Sequence, residues 1–186
     1  MFTEPRLIRA LCALCVFFLS IPLASAQTWK VGGESVPDSA WARSDGEFGA
    51  KLAFTDEPDD LFSSWEVASR GVAFSETSEA IRGAPIVGVI FFTGCGANER
   101  GNCEVTVTFT VQGPDGKPWG EAIEGELWVE KPQPGKGQLQ LGVGNIGMII
   151  EPPDRLGTYT VKAEIRDMVA RKTMVLEKSF TASDVR

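Results

Sequence analysis

Residues 105–111 read Val-Thr-Val-Thr-Phe-Thr-Val, an order that suits a strand and not a helix. Val105, Val107, Phe109 and Val111 fall on one side of an extended chain and Thr106, Thr108 and Thr110 on the other, a period of two residues. A strand with one apolar face needs partners for its backbone and a second layer over that face. The same alternation recurs at Phe48, Ala50, Leu52 and Phe54; at Leu139, Leu141 and Val143; at Ile146, Met148 and Ile150; and at Tyr159, Val161, Ala163 and Ile165. Shorter candidates lie at 71–75, 125–130 and 173–181. Residues 86–92, Ile-Val-Gly-Val-Ile-Phe-Phe, are apolar on both faces, which predicts a central strand covered from two sides. Turn signals separate these segments at Pro114-Asp115-Gly116, at Gly144-Asn145, read as the turn of a hairpin, and at Pro152-Pro153-Asp154. Eight or nine short strands at this spacing predict an all-β antiparallel sandwich.

One short helix interrupts the strands over about 57–67. Thr55 or Asp56 can cap it, Pro58 suits its first turn, and Leu61, Phe62 and Trp65 share a side. Asp56, Glu57, Asp59 and Asp60 lack the ligand spacing of a calcium loop, and carboxylates in a first turn are explained by the helix dipole.

Arg6 and Arg9 precede an apolar run from Leu11 to Leu23 that ends in Ala24-Ser25-Ala26, the pattern of a secretory signal peptide cut after Ala26. The run is too short to span a bilayer, which takes about 20 residues. Cys12 and Cys15 follow Leu11 and Leu14, where lipid attachment wants a small residue, so both are expected to leave with the leader. The expected organisation is a signal peptide (1–26), an N-terminal arm (27–47) and a sandwich domain (48–186), in the periplasm or secreted. Without Glu4, Arg6 and Arg9 the remainder holds 16 basic and 24 acidic residues, a net charge of −8. That acidity disfavours nucleic acid and anionic membranes as partners.

The chain contains no histidine, so Ser-His-Asp and Cys-His catalysis and His-ligated metals are excluded. Gly-x-Ser-x-Gly, Ser-x-x-Lys and a phosphate loop are also absent from the mature sequence. Glu121, Glu124, Glu126 and Glu130 crowd one region, as a carboxylate glycosidase would need, but alternation places Glu124, Glu126 and Glu130 beside Trp128 on a solvated face. Met148, Met168 and Met174 could suggest thioether ligation of copper, but Met148 and Met174 occupy inward strand positions, so core filling is preferred. Trp29 and Trp41 lie in the arm, where they either bind glycans or tack the arm onto the sandwich; tacking is preferred, and it would cover the second face of 86–92. No cofactor is expected, and the chain is not expected to be an enzyme.

Cys95 and Cys103 remain after the leader, and in an exported chain a structural disulfide is the expected state. The loop they bound, Cys95-Gly-Ala-Asn-Glu-Arg-Gly-Asn-Cys103, is read as a hairpin connection closed at its base. Its polar tip, Glu99 and Arg100, is the candidate contact with a partner, since a preorganised loop loses less entropy on binding.

Asp154-Arg155-Leu156-Gly157-Thr158-Tyr159, followed by Val161, Ala163 and Ile165, resembles the start of a late strand in immunoglobulin-like and fibronectin-type sandwiches, including modules of bacterial exported proteins. The resemblance covers about residues 136–166. It implies an Ig-like sandwich in which Tyr159 is a tyrosine corner supported by Asp154 and Gly157. Val161 stands where antibody domains carry their second core cysteine, so antibody-type domains are excluded. The function expected is a binding or assembly accessory of the cell envelope with a protein or glycan partner. The alternatives are a protease inhibitor presenting loop 95–103 and, more weakly, a carboxylate glycosidase.

Overall fold

The computed structural model describes residues 30–31, 34–35, 37–67 and 74–184. The leader with Cys12 and Cys15, Trp29, and most of the candidate strand 71–75 lie outside the described residues. Two short strands, β1 (Lys30–Val31) and β2 (Glu34–Ser35), pair with each other. The remaining nine strands form two sheets: β3 (Ala42–Asp45), β4 (Phe48–Thr55), β6 (Pro85–Thr93) and β9 (Gln140–Ile149) in the order β3-β4-β6-β9, and β5 (Glu79–Ile81), β7 (Asn102–Gln112), β8 (Ile123–Pro132), β10 (Gly157–Asp167) and β11 (Lys172–Ser183) in the order β5-β11-β10-β7-β8. One helix, α1 (Pro58–Val67), follows β4. The described residues are all-β with a single short helix. No described helix is long and apolar enough to cross a membrane.

The core between the sheets is where alternation placed it. Phe48, Leu52 and Phe54 of β4, Val105, Val107 and Phe109 of β7, Tyr159, Val161 and Ile165 of β10, and Ile146 and Met148 of β9 are all buried in one cluster. Pairing is antiparallel throughout the two sheets except at the edge, where β5 runs parallel to β11.

A second cluster occupies the outer face of the four-stranded sheet. Leu61 of α1 is buried against Ala53, Val87, Val89, Phe91 and Leu141, with Phe62, Trp65 and Phe74 packed at the margin. The rings of Trp65 and Phe74 stand 5.5 and 5.1 Å from that of Phe91. This corrects the sequence reading, because the second cover of 86–92 is the helix and Phe74. The helix turns its Leu61, Phe62 and Trp65 side to the sheet, as its spacing predicted. Part of the arm joins the sandwich by a different route, as edge strand β3 paired with β4. Trp41 is 45% exposed, with Lys178 Nζ 5.7 Å from its ring centroid, and its carbonyl accepts from Leu52 N at 2.8 Å.

Three further expectations are corrected. Gly144-Asn145 makes no turn but lies within β9, which runs unbroken from Gln140 to Ile149 with an irregularity opposite Val89–Phe91. The glycines serve close approach instead: a Cβ on Gly142 would stand 2.2 Å from Leu127 Cδ1, and one on Gly144 would stand 2.7 Å from the Glu126 carbonyl oxygen. There β9 and β8, edge strands of opposite sheets, come together. Leu139, just before β9, and Val143 within it are exposed. In β8 the pairing with β7 shifts twice, between Cys103 and Glu104 and between Val105 and Thr106, and Trp128 turns to the core edge with its ring 5.5 Å from Phe92. Strict alternation fails there because each bulge adds a residue that reverses the faces. Finally, β6 and β7 belong to different sheets, so loop 95–103 is a crossing between layers and not a hairpin.

Candidate functional site

Cys95 and Cys103 are bonded, both fully buried within the inter-sheet core, with Cα atoms 6.1 Å apart. The bridge therefore joins the chain just after β6, in the four-stranded sheet, to the start of β7, in the five-stranded one. Beyond it the loop projects as a tight turn. Asn98 O accepts from Gly101 N at 2.9 Å, and Asn98 Oδ1 accepts from the amides of Arg100 (2.9 Å) and Asn102 (3.1 Å). Gly101 has φ +81°, a left-handed conformation that glycine adopts without steric cost. Glu99 and Arg100 occupy the centre of this turn with exposed side chains.

The loop is tied to three other connections at the same end of the sandwich. Asp167, buried at the end of β10, accepts from Gly96 N at 2.6 Å through Oδ2 and from Val169 N and Ala170 N at 3.1 and 2.9 Å through Oδ1. Gly96 lies against the β10–β11 turn so closely that a Cβ there would meet Ala170 N at 2.9 Å. Gln133, after β8, donates its Nε2 to Cys95 O at 2.5 Å and its amide to Gly101 O at 2.9 Å. Gly94, with φ +68°, sits where a Cβ would be 1.8 Å from Glu47 O in the β3–β4 turn. Lys136 and Glu47 form an exposed ion pair at 2.7 Å that raises the lysine pKa and lowers the glutamate's, each through the hydrogen bond and charge of the other. Four connecting segments are thus fastened together at the end of the sandwich that carries Glu99 and Arg100.

Of these anchors the sequence reading named the cysteines alone. Asp167 carries a local signal, an aspartate whose side chain caps the turn following it. Its bond to Gly96, 71 residues away, has none.

The other named residues stand at the opposite end. Tyr159 Oη donates to Arg155 O at 2.6 Å, its ring is fully buried, and it stacks on Phe180 with centroids 5.4 Å apart while Trp119 meets it edge-on at 5.5 Å. Burial, reinforced by the Asp154 charge, raises the phenol pKa and keeps the donor protonated. Asp154 accepts from Glu151 N at 2.9 Å and from Trp119 Nε1 at 3.1 Å, and those bonds, the backbone one foremost, lower its pKa. Gly157 has φ +128° and passes so close to Pro114 that a Cβ would lie 3.2 Å from its ring. These three residues build the fold's far corner.

Glu121, Glu124, Glu126 and Glu130 are all exposed along β8 and the loop before it. Met148 and Met174 are buried, whereas Met168, in the β10–β11 turn, is 60% exposed. Among the described residues no group of three or more cysteine and acidic side chains is gathered closely enough to hold a metal ion.

No protein-family model matches the chain, and no curated protein matches it. Solved structures similar to it include the following three. A family 123 glycoside hydrolase from Clostridium perfringens that acts on glycolipid glycans shares 12% identity at a TM-score of 0.44, over 75% of this chain and 28% of that one. The alkylpurine DNA glycosylase of Pseudomonas fluorescens bound to DNA shares 9% identity at 0.36, over 56% and 27%. A β-glucuronidase of Parabacteroides merdae shares 15% at 0.31, over 53% and 12%. The chain spans about a quarter or less of the length of these structures. All three are enzymes, contrary to the expectation that this chain is not one. The missing histidine excluded imidazole chemistry and left carboxylate chemistry untouched.

Proposed function

We propose that the protein is an exported, Ig-like binding module of the cell envelope whose recognition surface is the disulfide end of the sandwich, centred on Glu99 and Arg100. The observation that carries this reading is the fastening of loop 95–103, by the disulfide, Asp167 and Gln133, into a rigid surface with its polar tip outward. Rigidity there lowers the entropy lost when a partner is bound. A disulfide fits an oxidising compartment. The Tyr159 hydroxyl, bonded back to Arg155 just before β10, supports the Ig-like reading.

The inhibitor alternative needs an extended segment around Arg100 that adds to a protease as a strand. The Asn98–Gly101 turn is the opposite conformation, which favours the binding module.

Two measurements test the reading. Intact mass of the protein recovered from periplasm or medium should begin at Gln27. A photo-crosslinking residue at position 100 should trap a discrete partner in the native host, whereas one at exposed Thr158, at the far end, should not. Equal trapping at both positions, or at neither, contradicts the proposal.

A further inference from the structure

We propose that the disulfide end docks a protein segment carrying carboxylates beside an apolar side chain, and that Met168 and Arg171 of the β10–β11 turn contact it together with Arg100. This rests on the recognition surface argued above and assigns its second half and the chemistry of its partner.

The two loops form one body. Asp167 bonds the amide of Gly96 and the amides of Val169 and Ala170 with the same carboxylate, and Met168 N donates to Glu104 O at 2.9 Å, beside the loop's second cysteine. A partner that reaches Arg100 therefore meets a turn held in fixed relation to it.

The exposed groups of that turn have the character of a contact surface. Met168 is the most exposed of the large apolar side chains described, on a backbone pinned on both sides. A flexible, polarisable thioether in that position suits burial against an apolar partner group. Arg171 has φ +55°, a left-handed conformation that asparagine or glycine would adopt more easily, yet the position carries an exposed guanidinium. Strained backbone retained with a bulky side chain points to a use for that side chain.

Charge narrows the partner. Lys136 and Lys172, cations at the same end, are neutralised by Glu47 and Asp45. Arg100 and Arg171 form no ion pair among the described residues, so two guanidinium groups able to take carboxylates in bidentate fashion are presented by a protein of net charge −7. Glu99, adjacent to Arg100, would repel a polyanion such as a lipid surface or nucleic acid, and it suits a protein segment of mixed character.

The test selects a displayed random peptide library on the folded wild-type protein. The selected peptides should be enriched in Asp or Glu next to Leu, Ile, Met or Phe, and the Met168→Ser/Arg171→Ala variant should bind them at least about tenfold more weakly. Arg100→Glu/Arg171→Glu should select basic peptides instead. All these side chains are exposed, and unchanged melting curves confirm that the variants fold. Peptides without acidic enrichment, or binding unaffected by Met168→Ser/Arg171→Ala, would overturn the proposal. If that variant binds normally while Glu99→Ala/Arg100→Ala does not, the turn is excluded and recognition by loop 95–103 stands; if neither variant matters, both fail. Arginine-dependent sedimentation with phosphatidylserine vesicles, without peptide selection, would equally overturn protein docking.

Discussion

Tyr159 and Asp167 sit at opposite ends of β10, and each bonds backbone groups of a neighbouring turn or loop. Tyr159→Phe keeps the ring between Trp119 and Phe180 and strands the Arg155 carbonyl, which predicts a loss of about 1–2 kcal/mol in denaturant unfolding. An unchanged midpoint would show that the hydroxyl is not structural. Asp167→Ala orphans three amides at once, one of them in the disulfide loop, and is expected to cost about 2–4 kcal/mol. Amide exchange at Gly96, Val169 and Ala170 should rise together in that variant; exchange at Gly96 alone staying slow would separate the loop from the turn. Tyr159 was identifiable from its neighbours in sequence because its acceptor is four residues away. Asp167 was not, because the partner that matters most belongs to another sheet's connection.

Among the elements, β9 shows how a composition signal can be read for the wrong purpose. Gly-Asn between two apolar runs has the chemistry of a hairpin turn, but Gly144 is where the backbone of β8 approaches the strand. Gly144→Ala is therefore predicted to cost about 1–3 kcal/mol by pushing the two sheet edges apart. Near-wild-type stability of that variant would contradict the close approach. Helix α1 was legible in full, since its limits depend on local capping and proline, and its apolar side follows from spacing. What it covers was not, and Leu61→Ala, which opens a cavity over Val87, Val89 and Phe91, is predicted to cost about 2–4 kcal/mol in the same unfolding measurement.

In the molecule as a whole the two sheets are joined by a few specific links besides their shared core. Because β6 and β7 do not pair, no ladder holds the ends of loop 95–103 together, and closing roughly nine residues by the disulfide is worth about 2.5 kcal/mol on the chain-entropy estimate. Cys95→Ser/Cys103→Ser should lose at least that much, and a fully stable variant would show that the bond adds little to the core around it. A second link is Glu76, which bonds Lys51 of β4 at 2.7 Å and Lys178 of β11. Burial raises its pKa, but the hydrogen bonds and charges of the two lysines outweigh that and leave it below the ordinary 4.5. A depressed folded-state pKa means stability that is present above pH 4.5 and lost as pH falls through the lower folded value. Each bridge is partly solvated and worth less than about 1 kcal/mol. Glu76→Gln should flatten the acid side of the stability curve by that amount; an unaltered curve would remove Glu76 from the account. Local pattern determined most of the strands and their core faces, outside β8 and the start of β9, together with the helix, because period, propensity and capping act over a few residues. Which strands share a sheet, what covers the outer face of β6, that the disulfide bridges two layers, and which turn lies beside Glu99 and Arg100 were decided by tertiary structure alone. Those features are contacts between segments tens of residues apart, chosen by how bulges and glycines let two twisted sheets meet, and no local pattern encodes them.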